Sequence, residues 1–208
     1  MKVSKAQAAA NRRSILEAAS RLYRERGLDG VGVADITRDA GLTHGGLYRH
    51  FDSKDALVRE ACALAFEWSM AEVRGSTDIG QGPQPPGLAD RVAAYLSPGH
   101  RDHPGQGCPV SALAVDAARA GGDLSEVFAQ GIERYIARFA QVVEGLEPSA
   151  PPSPAGRAHA MQMLATMVGG LVLARATAAG RPALSDEILE VLRSQLASGP
   201  GEQAAPSD

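Results

Sequence analysis

The chain has 208 residues, enough for one or two domains with a sizeable core, and its 44% hydrophobic and 22% charged content is that of a globular protein rather than a disordered one. A net charge of −3 excludes a bulk attraction to nucleic acid, and two cysteines, Cys62 and Cys108, exclude a disulfide framework. No run approaches the roughly eighteen apolar residues of a membrane span and the start lacks an apolar signal core, so no membrane partner and a cytoplasmic location are expected.

The charge is unevenly placed. Residues 1–60 carry 11 Lys and Arg against 8 Asp and Glu, net +3, which leaves 10 against 16, net −6, for the remainder. A basic module on an acidic one fits a DNA-binding head on a body with another task.

Residues 1 to about 9, with Lys2 and Lys5, read as a mobile basic arm. A helix then opens near Asn11, its stripe marked by Ile15, Ala19, Leu22 and Arg26 with Tyr23 beside it, and ends at Gly27. Val33, Ile36 and Ala40 share one face of a short second helix, which Gly41 stops because glycine tolerates a positive backbone dihedral. Leu42 folds back onto the core, and Thr43 caps a third helix. In that helix Leu47 and Phe51 face inward, leaving His44, Gly45, Gly46, Tyr48, Arg49 and His50 outward. These can donate hydrogen bonds, stack or carry positive charge, and none is acidic. Two short helices joined by a glycine turn make a helix-turn-helix, whose second helix enters a major groove.

Ser53 caps a fourth helix with Leu57, Ala61, Leu64 and Trp68 on one face, running to about Arg74. Gly75–Gly87 is a Gly- and Pro-rich linker, and Leu88, Val92, Tyr95 and Leu96 mark the next helix. A breaker run, Ser97–Gly107, precedes a helix with Pro109 in its first turn and Cys108 at or next to its N-cap. There the positive end of the helix dipole favours a thiolate and raises reactivity. His100 and His103 stand loosely ahead of Cys108, but not at ligand spacing, so no metal and no cofactor are expected.

Gly121-Gly122 ends that helix, and Asp123 with Glu126 forms a capping-box-like start for a long seam of Phe128, Ile132, Tyr135, Phe139, Val142 and Leu146. After a run of prolines comes a helix over about Ala155–Ala179, apolar around nearly its whole circumference, where Gly169, Gly170 and Ala174 admit close approach. Ser185 caps a last helix bearing Ile188, Leu189, Leu192 and Leu196, and the final two helices together predict a symmetric four-helix homodimer interface. The fold class is therefore all-α with about nine helices: a helix-turn-helix domain over 1–52, ordered from about 9, a helical effector-binding and dimerisation domain over 53–198, and a disordered tail over 199–208.

The segment Ala40-Gly-Leu-Thr-His-Gly-Gly-Leu-Tyr-Arg-His-Phe51, followed by Ser53-Lys-Asp-Ala-Leu57, resembles the DNA-binding domain of TetR/AcrR-type bacterial transcriptional regulators. That resemblance implies a recognition helix beginning near Thr43, contacts to a double-stranded DNA operator from Thr43, His44, Gly45, Gly46, Tyr48 and His50, and a phosphate contact from Lys54. Gly46 departs from the family pattern, which more often has Ser or Thr there.

For the body, Trp68, Tyr95, Phe128, Tyr135, Phe139, Met163 and Met167 are candidates to line an apolar effector cavity. The run Gly107-Cys-Pro-Val-Ser-Ala-Leu-Ala is similar to a helix start in a subset of these regulators that responds to electrophiles or oxidants through a cysteine, which makes Cys108 a sensing candidate. The function expected is a repressor released from a palindromic operator by a small molecule or electrophile. Its rivals are a thiol-based, peroxidase-like enzyme using Cys108 and a dimeric sensor that no longer binds DNA. No paired carboxylates, nucleophile–base ordering or phosphate loop supports an enzyme.

Overall fold

A computed structural model describes residues 4–74 and 87–197. The linker foreseen at Gly75–Gly87, all but its last residue, and the tail from residue 199 lie outside the described residues. Within them the chain is all-α. Helices α1 (Lys5–Arg26) and α2 (Val33–Asp39) lead to a 3-10 helix (His44–Arg49) and then to α3 (Lys54–Arg74). After α4 (Leu88–Tyr95) come α5 (Pro98–Asp102), a 3-10 turn (Pro104–Gln106), α6 (Pro109–Ala120), α7 (Gly122–Glu144), α8 (Pro154–Ala178) and α9 (Pro182–Ala197).

These pack as two compact units: Met1–Ala71 with His103–Gly131, and Glu72–Asp102 with Ile132–Asp208. In the first, α1 buries Ile15, Ala19, Leu22 and Tyr23 as its periodicity requires, but Arg26 is exposed and it is Arg24, 5% exposed, that goes inside. The helix also starts earlier than expected. Ser4 accepts a hydrogen bond from the Gln7 amide at 3.1 Å, and the alanine-rich residues behind that cap continue the helix, so residues 5–9 are helical rather than an arm.

Two further expectations are corrected by local chemistry. The run Ser97–Gly107 is not a plain breaker: Pro98 opens α5, and the Ser97 hydroxyl accepts from the His100 amide at 3.1 Å. Asp123 does not cap α7, which begins at Gly122, the second of two glycines at φ +63 and +53. The Asp123 carboxylate instead lies 3.2 Å from Arg59 on α3. Close packing of α3 on α7 depends on Gly131, because a Cβ there would overlap the Phe66 ring, itself edge-on to Phe128 at 5.1 Å.

In the second unit α8 and α9 form the main helix pair. The predicted small-residue approach holds at Gly170, where a Cβ would meet Leu192 of α9, and at fully buried Ala174, while Gly169 faces open space. Ser185 is not a cap. It is fully buried inside α9, donating to the Ala174 carbonyl at 2.7 Å and accepting from Arg101 at 2.9 Å. Among the described residues α8 is the helix long and apolar enough to cross a membrane by length and composition, yet it spends that apolarity on packing: Met163, Leu164, Met167 and Leu171 are buried. Large apolar side chains left exposed in these two helices are Met161, Val172 and Leu173 on α8 with Leu184 and Val191 on α9.

Candidate DNA-facing and effector sites

The turn between α2 and the 3-10 helix is built by Gly41. At φ +69 it lets the Leu42 amide reach the Thr37 carbonyl at 2.8 Å while its own amide bonds Arg38 at 3.1 Å, the paired bonds of a Schellman motif. Downstream, Leu47 is fully buried and Phe51 is 3% exposed, so the segment between them is backed by core. It winds as a 3-10 helix rather than the α-helix expected, and two successive glycines, which weaken helical propensity, sit in its first half.

The outward side chains are available. Tyr48 is 59% exposed, Thr43 is exposed, and Gly46, His50 and Lys54 are half-buried, with His44 and Gly45 forming the start of the helix between them. Thr43 makes no side-chain cap bond, so its hydroxyl stays open to a partner. A Cβ at Gly46 would meet nothing within 4 Å; the departure from Ser or Thr there removes a side chain without being forced by packing. Ser53 does cap α3, accepting from the Ala56 amide at 3.0 Å, which places Lys54 in the first turn.

Arg12 braces this surface, a role the sequence pattern did not reveal. From α1 it donates to both carboxylate oxygens of Glu60 on α3 at 2.6 and 2.8 Å, and its guanidinium lies 4.6 Å over the Phe51 ring. A side chain about 40% exposed adds little stability through such a pair, but one Arg12 nitrogen shared by both Glu60 oxygens, together with the ring contact, links α1, α3 and Phe51.

A second cluster joins α1 to the segment before α6. Arg24 donates to the Gly107 carbonyl at 2.7 Å and to the Ser20 carbonyl at 3.0 Å, with its guanidinium 6.0 Å from the Trp68 ring. Gly105 lies so close to Arg21 and Glu25 that a side chain there would collide with both, and Arg21 also pairs with Asp39 at the end of α2. Cys108 is the N-cap of α6, as its sequence position suggested, but only 4% of it is exposed. Cys62, also buried, has its thiol pushed up to about 12 by burial, which Arg24 opposes and Asp116 reinforces.

The candidate effector residues divide between the units. Trp68, Cys108 and Phe128 belong to the first; Tyr95, Tyr135, Phe139, Met163 and Met167 belong to the second. Phe128, Tyr135, Phe139, Met163 and Met167 are buried, whereas Trp68 is 38% exposed and Tyr95 stacks edge-on against His100 at 4.6 Å. Among the described residues no group of three His, Cys, Asp or Glu side chains is placed to hold a metal.

Residues 15–61, which contain this turn, match the family model for bacterial regulatory proteins of the tetR family. That stretch of the chain is similar to the tetR family. The same N-terminal part is 36% identical over 77 residues, 37% of the chain, to the HTH-type transcriptional repressor KstR2 of Mycobacterium tuberculosis, of whose length the match spans 38%. A longer and weaker likeness, 24% identity over 137 residues, covers 65% of the chain and 67% of the HTH-type transcriptional repressor DhaR of a Mycobacterium species. The fold extends further than the sequence likeness. A TetR transcriptional regulator from Chloroflexus aurantiacus superposes with a TM-score of 0.71 at 22% identity, covering 92% of this chain and 94% of that one.

Proposed function

We propose that the protein is a DNA-binding transcriptional regulator of the cytoplasm, a dimeric repressor that leaves a palindromic operator when a small molecule or electrophile engages the chain. Residues 1–52 serve as the DNA-binding head and residues 53–198 as the effector-binding and dimerisation body. The observation that carries this reading is the exposed Tyr48 on a turn whose other side is locked by buried Leu47 and Phe51. Thr43, His44, Gly45, Gly46, Tyr48 and His50 supply contacts to the duplex, and Lys54 supplies a phosphate contact.

The exposed large apolar side chains on α8 and α9 support a homodimer through the last two helices, since a two-fold operation places the same side chains of each subunit against the other. The dimer sets the spacing of two recognition segments, which must match half-sites about one helical turn or a multiple apart. An effector that favours a dimer of the wrong spacing releases the operator, with leverage limited to its differential affinity for the two states.

Cys108 suits sensing by its place at a helix start, and the Arg24 bond to the preceding carbonyl gives its segment a direct tie to α1. Burial means an electrophile reaches it only when that segment opens. Mobility shift with DNA flanking the protein's own gene tests the main reading. Tyr48→Ala should weaken binding by about 1–3 kcal/mol, and Lys54→Ala should weaken it evenly across sequences while lowering the salt slope by about one. Unchanged binding in both variants, or no shift by the wild type, would remove the assignment.

A further inference from the structure

We propose that residues 98–107 form a strap anchored at both ends, through which the hold of α8 and α9 on α5 controls how firmly α1 holds Gly105 and Gly107, and with them the shielding of the Cys108 thiol. The inference rests on these contacts alone and stands whether or not the chain binds an operator.

At five residues, α5 is too short to persist by its own helical bonds. Its first turn is closed by the Ser97 hydroxyl, which accepts from the His100 amide at 3.1 Å. Its other end depends on Arg175 of α8, which donates to the carbonyls of His100 at 2.7 Å and Arg101 at 3.1 Å, oxygens that no further helical turn is there to satisfy. Arg101, with 13% of its side chain exposed, reaches α9 and donates to Ser185 at 2.9 Å and Asp186 at 2.6 Å. Both helices of the pair therefore grip residues 98–102, all within the second unit.

The other end of the strap is gripped within the first unit. Gly105 is buried so close to α1 that a Cβ would come 2.4 Å from Glu25 and 2.8 Å from Arg21, and Arg24 donates to the Gly107 carbonyl at 2.7 Å. Between Asp102 and Gly105 stand His103 and Pro104. Three Cα steps of about 3.8 Å each leave little slack, and the proline ring fixes one of the few dihedrals that could absorb a displacement. Those two residues also supply the acceptors of the 3-10 turn: the Gln106 amide bonds the His103 carbonyl and the Gly107 amide bonds the Pro104 carbonyl, both at 3.1 Å. Loosening α5 thus frees the residues on which the turn is built, and that turn is what presents Gly107 to Arg24. Cys108, 4% exposed, is the next residue. Arg175 is accordingly a positioning residue for a thiol that belongs to the other unit. The coupling is reciprocal, so chemistry at Cys108 that displaces Gly107 weakens the grip on α5 by the same free energy.

The test uses the full chain and compares the wild type with Arg175→Met, Arg175→Lys and Arg157→Met. The last removes an arginine of the same helix whose partner is Glu133 of α7, and serves as control. Amide hydrogen exchange is followed over residues 98–102, 103–108 and, as a reference for global opening, 57–66 of α3; N-ethylmaleimide labelling of Cys108 is followed by peptide mass spectrometry. In Arg175→Met exchange over 98–102 should rise about tenfold, since two bonds from a charged donor are lost, and exchange over 103–108 and labelling of Cys108 should rise with it by about threefold or more. Arg175→Lys should fall between, because an ammonium cannot span both carbonyls, and it keeps the test open if the Met variant folds poorly. The reference segment and the control variant should stay within about twofold of the wild type. Faster exchange over 98–102 with 103–108 and Cys108 unchanged overturns the strap, as does an equal rise in the reference segment, which marks Arg175 as merely structural. No change over 98–102 in either Arg175 variant overturns it as well.

Discussion

Replacing Arg24 with Met tests whether α1 and the segment before α6 are one mechanical piece. The side chain is 5% exposed and its Nη1 donates to the Gly107 carbonyl at 2.7 Å, where Gly107 is itself buried. Its bond to the Ser20 carbonyl matters less, because that oxygen is already part of the helical ladder. The loss is therefore dominated by one covered acceptor left dry, about 1–3 kcal/mol, and is partly offset because Met keeps the apolar stem and needs no charge desolvated. A net cost of about 2 kcal/mol in a chain of this size lowers the melting temperature by about 4–8 °C. Circular dichroism melts of Arg24→Met, Arg24→Lys and the exposed control Arg26→Met measure it. The lysine should fare little better than Met, since a point charge on a shorter fork cannot span both carbonyls. In the Met variant Cys108 should also react faster with N-ethylmaleimide, as the residue before it has been released. A Met variant melting within about 1 °C of wild type, with Cys108 no more reactive, would refute the idea that this arginine ties the two segments.

Alkaline pH should destabilise the fold through Cys62. Burial raises this thiol from 9.0 to about 12, so between those values the folded state holds a proton the unfolded chain has released, and stability present below pH 9 falls as pH rises. The slope approaches about 1.4 kcal/mol per pH unit for one group. Tyr23, also raised by burial, adds to it, so denaturant titrations of Cys62→Ala should show a shallower but not a flat decline; an unchanged slope would exclude the thiol. Leu173→Glu, at a position 57% exposed in the single chain, should leave folding intact yet convert the dimer to monomer in sedimentation velocity, and an unaltered dimer would place the interface elsewhere. Gly131→Ala should cost about 1–3 kcal/mol in chemical denaturation, because the added methyl overlaps the Phe66 ring and neither helix can retreat without losing its own packing.

Much of the head was legible because its signals are local. Gly41, Leu47, Phe51 and the Ser53 cap each follow from one residue's backbone preference or from spacing within two turns, and all four stand as read. What escaped was set by partners distant in the chain. Arg26 fits the α1 stripe on spacing and Arg24 falls on the opposite side of the helix; it is the Gly107 carbonyl, 83 residues away, that draws Arg24 inside. Ser185 carries a cap-like identity but meets Arg101 and the Ala174 carbonyl, so it sits within α9. Asp123 has the right spacing for a capping box and is taken by Arg59 instead. Ser4 is the opposite case: the cap was local, but a terminal basic segment reads as frayed unless its serine is weighed. The effector side was least legible, since Met and aromatic residues at helical spacing fill cores and line cavities alike.

The contacts of the first unit also say why a change before α6 need not travel far to reach the turn between α2 and the 3-10 helix. Gly105 rests on Arg21 and Glu25, Arg24 holds Gly107, and Arg21 grips Asp39 two residues before the glycine that sets the turn. Each link is short and involves α1, and Arg12 on that helix braces Phe51 at the other end of the recognition segment. A displacement of residues 103–108 is therefore resisted by the same helix that carries both supports of the turn. Bending α1 costs backbone hydrogen bonds, whereas tilting it as a rod keeps them but shifts its buried face of Ile15, Leu22 and Tyr23 along with the partly exposed pairs of Arg12 and Arg21, which are the weaker restraints. The soft points of the route thus lie next to the turn and Phe51, and the stiff, buried one at Arg24 lies next to Cys108.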